Sequence, residues 1–224
     1  MKLCFRLSAI PDYARLPLVF VVIWNQMVYY GSKLLADNWS HHDLTTAFDR
    51  ATPFLPWTVS IYLTSFVFWI LSYLYCASQE KRQAYRFLCA DFLAKTVCFL
   101  FFLLLPTTNV RPAVEGDSLW CILMHILYTT DSPTNLFPSI HCLVSWLCFL
   151  GVRDVPGTPK VVRCGAFCVA IAIFISTLTT KQHVAADVLG GVLLAQISYW
   201  AANQELVLSY YSKLTDRLSQ RRLC

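Results

Sequence analysis

Residues 87–105 read FLCADFLAKTVCFLFFLLL, a run of 19 residues in which Asp91 and Lys95 are the only charged members. A transmembrane helix needs about 20 mostly apolar residues to cross a hydrocarbon core roughly 30 Å thick, so this run is long enough to span a bilayer. Asp91 and Lys95 are four residues apart and would share one face of the helix. We interpret them as an internal ion pair that faces other helices, in preference to a catalytic pair.

Five further apolar runs flank this one, each bounded by charges or prolines. They cover residues 16–35, 57–76, 139–152, 161–175 and 184–202. The runs at 139–152 and 161–175 are short, so their helices are expected to extend into the flanking residues. The pattern predicts an all-α polytopic membrane protein, a bundle of six transmembrane helices. Its parts would be an N-terminal segment (1–15), the six-span domain (16–202) and a basic tail (203–224).

The composition agrees with a membrane protein and excludes several other classes. Hydrophobic residues make up 57% of the chain and charged residues only 14%, and the mean hydropathy is +0.52. These values exclude an ordinary soluble domain, a disordered chain and a coiled coil. The net charge of +5 comes from small basic groups between apolar runs, so we predict no nucleic-acid partner. Seven of the ten cysteines lie in or beside apolar runs, which favours buried hydrophobic residues over a disulfide framework.

The distribution of basic residues predicts the orientation, because Lys and Arg near span ends are retained on the cytoplasmic side. Six spans would place 13 of the 18 basic residues on one face, and only Arg50, Arg111 and Lys181 on the other. We therefore predict a multi-pass protein of the cell membrane with both termini in the cytoplasm. The segments 36–56, 106–138 and 176–183 would face outward.

Two of these outward segments contain polar groups suited to binding an anion. Arg111 follows the third run, and a guanidinium is well shaped for bidentate contact with phosphate, although an interfacial arginine could equally contact lipid headgroups. Pro138, Ser139 and His141 open the fourth run. Proline suits a first helical turn, so Ser139 would place a hydroxyl and free N–H groups at a helix N-terminus. His141 could be catalytic or could simply be hydrogen-bonded to a neighbouring helix.

The third outward segment carries the strongest chemical pattern. His183 and Asp187 are four residues apart, so on a helix the carboxylate can accept a hydrogen bond from the imidazole. This is the arrangement of an oriented base or nucleophile. Gly190 and Gly191 follow and would let a neighbouring helix approach closely.

Three motifs lie on the same predicted side of the membrane: Arg-Pro at 111, Pro-Ser-x-His at 138 and Ser-x6-His-x3-Asp at 176. In this order, and over residues 37–202, the chain resembles the type 2 phosphatidic acid phosphatase superfamily of membrane lipid phosphatases and phosphotransferases. The resemblance implies a six-helix bundle in which His183 attacks phosphorus and forms a phosphohistidine. It further implies that Asp187 orients His183 and that His141 protonates the leaving oxygen. Groups at Arg111, Ser139 and Ser176 would hold the phosphoryl oxygens, with no metal or other cofactor.

The chain departs from the family pattern at two basic positions. The family has a lysine seven residues before the arginine, where this chain has Leu104, and an arginine after the serine, where it has Thr177. We hypothesise that Lys181, close to His183, replaces one of these charges. Similar departures occur in the branch that resembles sphingomyelin and inositol phosphorylceramide synthases.

We therefore predict an enzyme that hydrolyses a lipid phosphate monoester or pyrophosphate on the outer membrane face. A lipid phosphotransferase, which would also bind an acceptor lipid, and a catalytically silent membrane homologue remain alternatives, because hydrolysis and transfer share one covalent half-reaction.

His41, His42 and Asp43 are adjacent in the first outward segment and could suggest a metal site. No further ligand follows them at a convincing spacing, so no metal site is predicted.

Overall fold

The computed structural model describes residues 10–36 and 38–220, and 75% of it is helical. Its α-helices are α1 (Asp12–Gln26), α2 (Ser32–Ala36), α3 (Ala47–Ala51), α4 (Val59–Ala77), α5 (Lys81–Leu104), α6 (Leu119–Thr130), α7 (Ile140–Asp154), α8 (Lys160–Thr179), α9 (Ala185–Ala202) and α10 (Glu205–Gln220). A π-helical turn (Met27–Gly31) joins α1 to α2, and a 3-10 turn (Pro56–Thr58) precedes α4.

Five helical segments of the described chain are long and apolar enough to cross a membrane: Asp12–Ala36, Pro56–Ala77, Lys81–Leu104, Lys160–Thr179 and Ala185–Ala202. Each coincides with a predicted run to within a few residues. The fourth predicted span is α7, which has 15 residues and is about 22 Å long at 1.5 Å per residue. By length, the structure thus supports a helical membrane protein with five spanning helices and does not confirm the sixth. Because α7 packs against α4, α5, α8 and α9, its surroundings are mostly protein.

Three helices lie where the sequence predicted only loop or tail, and the shortest of them is α3 in segment 36–56. Helix α6 occupies part of segment 106–138, and its N-terminus is capped by the Ser118 hydroxyl, which accepts a hydrogen bond from the Cys121 amide at 3.2 Å. Its 12 residues are too few to span, so a search for long runs overlooks it. Helix α10 forms most of the predicted tail. The basic residues predicted near both termini at Lys2, Arg6, Arg221 and Arg222 lie outside the described residues.

The buried centre of the bundle confirms the interpretation of the charged pair in α5. Lys95 Nζ lies 2.9 Å from an Asp91 carboxylate oxygen, and the side chains are 4% and 0% exposed. The Tyr73 hydroxyl donates a further hydrogen bond to Asp91. Such pairing is what makes two charges tolerable inside a membrane protein.

A short parallel sheet joins two of the outward segments. Strand β1 (His42–Asp43) pairs with β2 (Thr107–Thr108), with His42 opposite Thr107. Thr108 also forms an antiparallel bridge with Thr134. The sheet therefore brings the stretch that contains Arg111 together with the one that leads into α7.

Helix α9 lies against the start of α7 at Gly190 and Gly191. A Cβ atom on Gly191 would lie 2.5 Å from the Ser139 carbonyl oxygen, and one on Gly190 would lie 2.5 Å from the Phe137 ring. Both distances are too short for real atoms, so the close approach predicted for this glycine pair is confirmed.

Gly191→Ala is therefore expected to destabilise the protein by about 1–3 kcal/mol, because the added methyl group meets backbone that cannot easily move. Thermal unfolding of the purified protein in detergent should show a lower midpoint. Gly165→Ala is the matched control, since no heavy atom lies within 4 Å of its added Cβ and alanine is favoured over glycine in a helix. Equal midpoints for the two variants would contradict the steric argument.

Candidate active site

The strongest predicted pair forms as expected at the start of α9. His183 Nδ1 lies 3.2 Å from Asp187 Oδ2, and the two side chains are almost fully buried. The same carboxylate oxygen accepts a hydrogen bond from the Val184 amide at 3.0 Å. Because a carboxylate only accepts, this contact assigns the hydrogen to Nδ1 and leaves Nε2 with a free lone pair. His183 is thus oriented for attack through Nε2.

The turn that carries His183 is held by the first outward segment. Asp49 Oδ1 accepts a hydrogen bond from the Ala185 amide at 2.7 Å, at the N-terminus of α9. Lys181 Nζ donates to the carbonyl oxygens of Asp49 and Thr52 at 2.6 and 2.5 Å. Burial raises the pKa of Asp49, but hydrogen bonds from Thr46 and Ala185 and the charge of Lys181 outweigh it and hold that pKa below its usual value. The Lys181 charge therefore lies beside His183 but contacts backbone.

His141 faces His183 from the first turn of α7, with 6.2 Å between the ring centroids. Three aromatic residues at helical spacing on α4 surround it: Tyr62 stacks at 4.2 Å, Trp69 lies at 5.0 Å and Phe66 at 6.0 Å. The Tyr62 hydroxyl lies 3.3 Å from His141 Nδ1. His141 Nε2 is buried with no hydrogen-bond partner within the described chain, so this nitrogen is the one available to a substrate atom.

Arg111 lies within the site, beside the residue that precedes His183. Its guanidinium donates to the Asp131 carbonyl oxygen and to Gln182 Oε1 at 2.5 Å, and it lies 4.8 Å from the centre of the Tyr128 ring. Burial lowers the pKa of Arg111, and the Asp131 charge opposes this effect. The arginine remains a cation, because its ordinary pKa is far above neutral.

The two predicted serines are engaged with the backbone. Ser139 caps α7, with its hydroxyl accepting from the Cys142 amide at 3.3 Å, and its own amide donates to the Asp187 carbonyl oxygen at 3.0 Å. The Ser176 hydroxyl donates to the Ile173 carbonyl oxygen at 2.7 Å and is buried. Ser139 therefore joins α7 to α9, whereas Ser176 lies inside α8.

His183 forms part of the wall between two cavities. The aromatic cavity, about 370 Å³, is lined by residues that include Tyr29, Tyr62, Phe66, His141, Gln182 and His183. The outer-loop cavity, about 690 Å³, is lined by residues that include Asp49, Arg50, Asn109, Arg111, Lys181 and His183. The aromatic cavity thus offers aromatic surface and two imidazoles, and the outer-loop cavity offers three cations together with the carboxylates of Asp43 and Asp49.

A family model described as the PAP2 superfamily matches residues 34–201, which is three-quarters of the chain and includes Arg111, His141, His183 and Asp187. The chain belongs to the PAP2 superfamily. No match was found among curated proteins or among solved structures. Membership in the PAP2 superfamily indicates a phosphatase-type activity toward lipid phosphoesters. It confirms the resemblance on which the roles of His183, His141 and Asp187 were predicted, although those roles remain predictions.

Several residues that build this PAP2 site were not predicted. Gln182 binds Arg111, and Asp131 binds the Tyr29 hydroxyl and lines the aromatic cavity. The stripe of Tyr62, Phe66 and Trp69 at spacings of four and three was a usable signal, because it marks one face of α4. No comparable sequence signal marked Asp49, since its partner Ala185 is 136 residues away. Within the described ranges, no group of three His, Cys, Asp or Glu side chains could hold a metal ion.

Proposed function

We propose that this PAP2 protein is an integral membrane lipid phosphatase that hydrolyses a lipid phosphate monoester or pyrophosphate through a phosphohistidine at His183. The observation that carries this proposal is the position of His183. Oriented by Asp187, it lies between an aromatic cavity suited to a lipid and a cationic cavity suited to phosphate.

In the first step, the leaving part of the lipid occupies the aromatic cavity and its phosphate lies against His183. His183 Nε2 attacks phosphorus, and the bond from phosphorus to the leaving oxygen breaks. His141 donates a proton to that oxygen, and Arg111 stabilises the negative charge on the phosphoryl oxygens. Covalent catalysis divides one difficult displacement into two easier ones, and positioned positive groups supply most of the stabilisation in phosphoryl transfer.

In the second step, water takes the place that the leaving group vacated beside His141. His141, now neutral, accepts a proton from this water as its oxygen attacks phosphorus. The nitrogen–phosphorus bond breaks, His183 is regenerated, and inorganic phosphate leaves. Because Arg111 and Lys181 line the outer-loop cavity, this cavity provides a route for phosphate to leave.

The distribution of charge supports an active site on the outer face. Arg50, Arg111 and Lys181 line the outer-loop cavity. Basic residues also occur in the loops and at the helix ends on the other side of the bundle, including Lys81, Arg82, Arg153 and Lys160. By the positive-inside rule, that more basic side would be cytoplasmic, together with both termini.

Purified protein should be supplied with a phosphorus-labelled lipid phosphate, with and without ceramide or diacylglycerol as acceptor. Release of free phosphate is the expected result. A newly labelled lipid that forms only with the acceptor would instead indicate a phosphotransferase, the candidate that the departures at Leu104 and Thr177 favour. The absence of any product with a full set of substrates would indicate a silent homologue.

Lys181→Ala is expected to raise KM for a lipid phosphate by about 10- to 100-fold, the effect of losing one charge-assisted interaction. The reason is that Lys181 lines the same cavity as Arg111 and His183. Steady-state kinetics would measure this change in KM. Lys33→Ala is the control, because Lys33 lies on α2 and lines neither the aromatic nor the outer-loop cavity. Unchanged turnover and affinity would show that Lys181 does not replace the missing family cations.

A further inference from the structure

Arg111 determines the orientation of the side-chain amide of Gln182. Its Oε1 accepts a hydrogen bond from Arg111 at 2.5 Å. A guanidinium has only donors, so the amide atom that faces it must be the oxygen. The amide nitrogen must therefore point away from Arg111.

This nitrogen is an unused donor next to the nucleophile. Gln182 is 1% exposed, and its Nε2 has no hydrogen-bond partner in the part of the chain that the structure describes. Gln182 lines the aromatic cavity together with His141 and His183, whereas Arg111 lines only the outer-loop cavity. Burying an unpaired donor costs about 1–3 kcal/mol, and such a group needs an explanation, for which a catalytic role is one candidate.

We propose that the Gln182 amide nitrogen donates a hydrogen bond to a phosphoryl oxygen while phosphorus is attacked by His183. Gln182 would be a further catalytic residue of the proposed phosphatase reaction. No bond to Gln182 is made or broken, and its proton stays on nitrogen. As charge accumulates on the phosphoryl oxygens, a fixed neutral donor stabilises the transition state. This donor offsets part of what the chain lacks at Leu104 and Thr177, where the family pattern has cations.

A purely structural role for Gln182 would be to hold Arg111. Q182E separates the two roles, because a carboxylate keeps the acceptor that Arg111 needs but has no N–H group. A transition-state donor predicts that kcat falls about 10²- to 10³-fold, with KM changed only a few-fold. A structural role predicts that kcat stays within a few-fold, because the contact with Arg111 is kept and becomes charge-assisted, whereas the added negative charge repels the phosphate and raises KM.

Q196E is the matched control for the change of an amide to a carboxylate. Gln196 Oε1 also accepts a hydrogen bond, from Trp146 Nε1 at 3.2 Å, but Gln196 lines neither the aromatic nor the outer-loop cavity. Its kcat should stay within a few-fold of the original protein. Q182M removes the N–H group without adding a charge, so its kcat should also fall if the amide is a transition-state donor, and it serves as the substitute if Q182E does not fold.

Binding of orthovanadate, measured by calorimetry on the purified protein, tests the inference without requiring turnover. Vanadate resembles the transferring phosphoryl group, so its affinity should fall by about the same factor as kcat both in Q182E and in the uncharged Q182M. Equal vanadate affinity in the original protein and Q182E, or equal kcat, overturns the role of Gln182. Failure of the original protein to hydrolyse any lipid phosphate contradicts the proposed function instead, and the comparison of vanadate affinities still decides the inference.

Discussion

His183→Ala is expected to lower the turnover of any lipid phosphate by on the order of 10⁵-fold or more, the scale seen when a catalytic nucleophile is removed. His183 Nε2 is the atom that would form the bond to phosphorus, and its orientation depends on Asp187 at 3.2 Å. Alanine removes that atom, and water alone would have to displace the leaving group.

Two measurements check this expectation. Release of labelled phosphate gives the rate, and quenching during turnover should trap a labelled phosphohistidine in the original protein but none in the variant. His125→Ala is a suitable control, because His125 lies on the exposed surface of α6 and lines neither the aromatic nor the outer-loop cavity. Turnover that survives in His183→Ala would defeat the phosphohistidine mechanism.

His141→Ala should slow the cleavage of an alkyl lipid phosphate by about 10²- to 10⁴-fold, the usual contribution of a general acid. In the first step, measured as the release of the leaving group in a single turnover, the loss should be much smaller for an aryl phosphate such as nitrophenyl phosphate, because its leaving oxygen needs no proton. The position of His141 supports this role: its ring lies 6.2 Å from that of His183, and its Nε2 has no partner within residues 10–36 and 38–220.

The ratio of rates for the two substrates separates chemistry from structural damage. A collapsed site would slow the first step equally for both substrates, and that result would mean that His141 is not the proton donor. His42→Ala provides the comparison, since His42 is an exposed residue of β1 that lines neither of the two cavities.

Much of the local structure follows from sequence spacing alone. Runs of apolar residues predicted the helical segments to within a few residues, because helix formation in a bilayer depends on the length and polarity of a continuous stretch. The pair Asp91–Lys95 was likewise predictable, since residues four apart share one face of a helix. The contact between His183 and Asp187 was predicted from the same spacing, although His183 lies in the turn before α9 and only Asp187 lies on the helix. Helix α7 (Ile140–Asp154) also lies within two residues of its predicted run at 139–152, but its 15 residues are fewer than the roughly 20 that a spanning helix needs. The helices that were not predicted are α3, α6 and α10, which are too short or too polar to stand out as long apolar runs.

The assembly of the site was not predictable in this way. Arg111 meets Gln182 across 71 residues, and Tyr62 meets His141 across 79. Lys181 was predicted as a phosphate ligand from its proximity to His183, but it reaches Asp49, 132 residues away. Such contacts depend on how helices and outer segments pack against one another, which no local periodicity encodes.

By itself, then, the sequence determined a helical membrane protein and the oriented pair of His183 and Asp187, because both depend on residues that are close together in the chain. Only the tertiary structure decided that His183 separates an aromatic cavity from a cationic one. It also decided that Arg111 turns the amide nitrogen of Gln182 away from itself. The physical reason is that a cavity and a buried hydrogen-bond network are properties of packed surfaces, contributed by segments far apart in the chain.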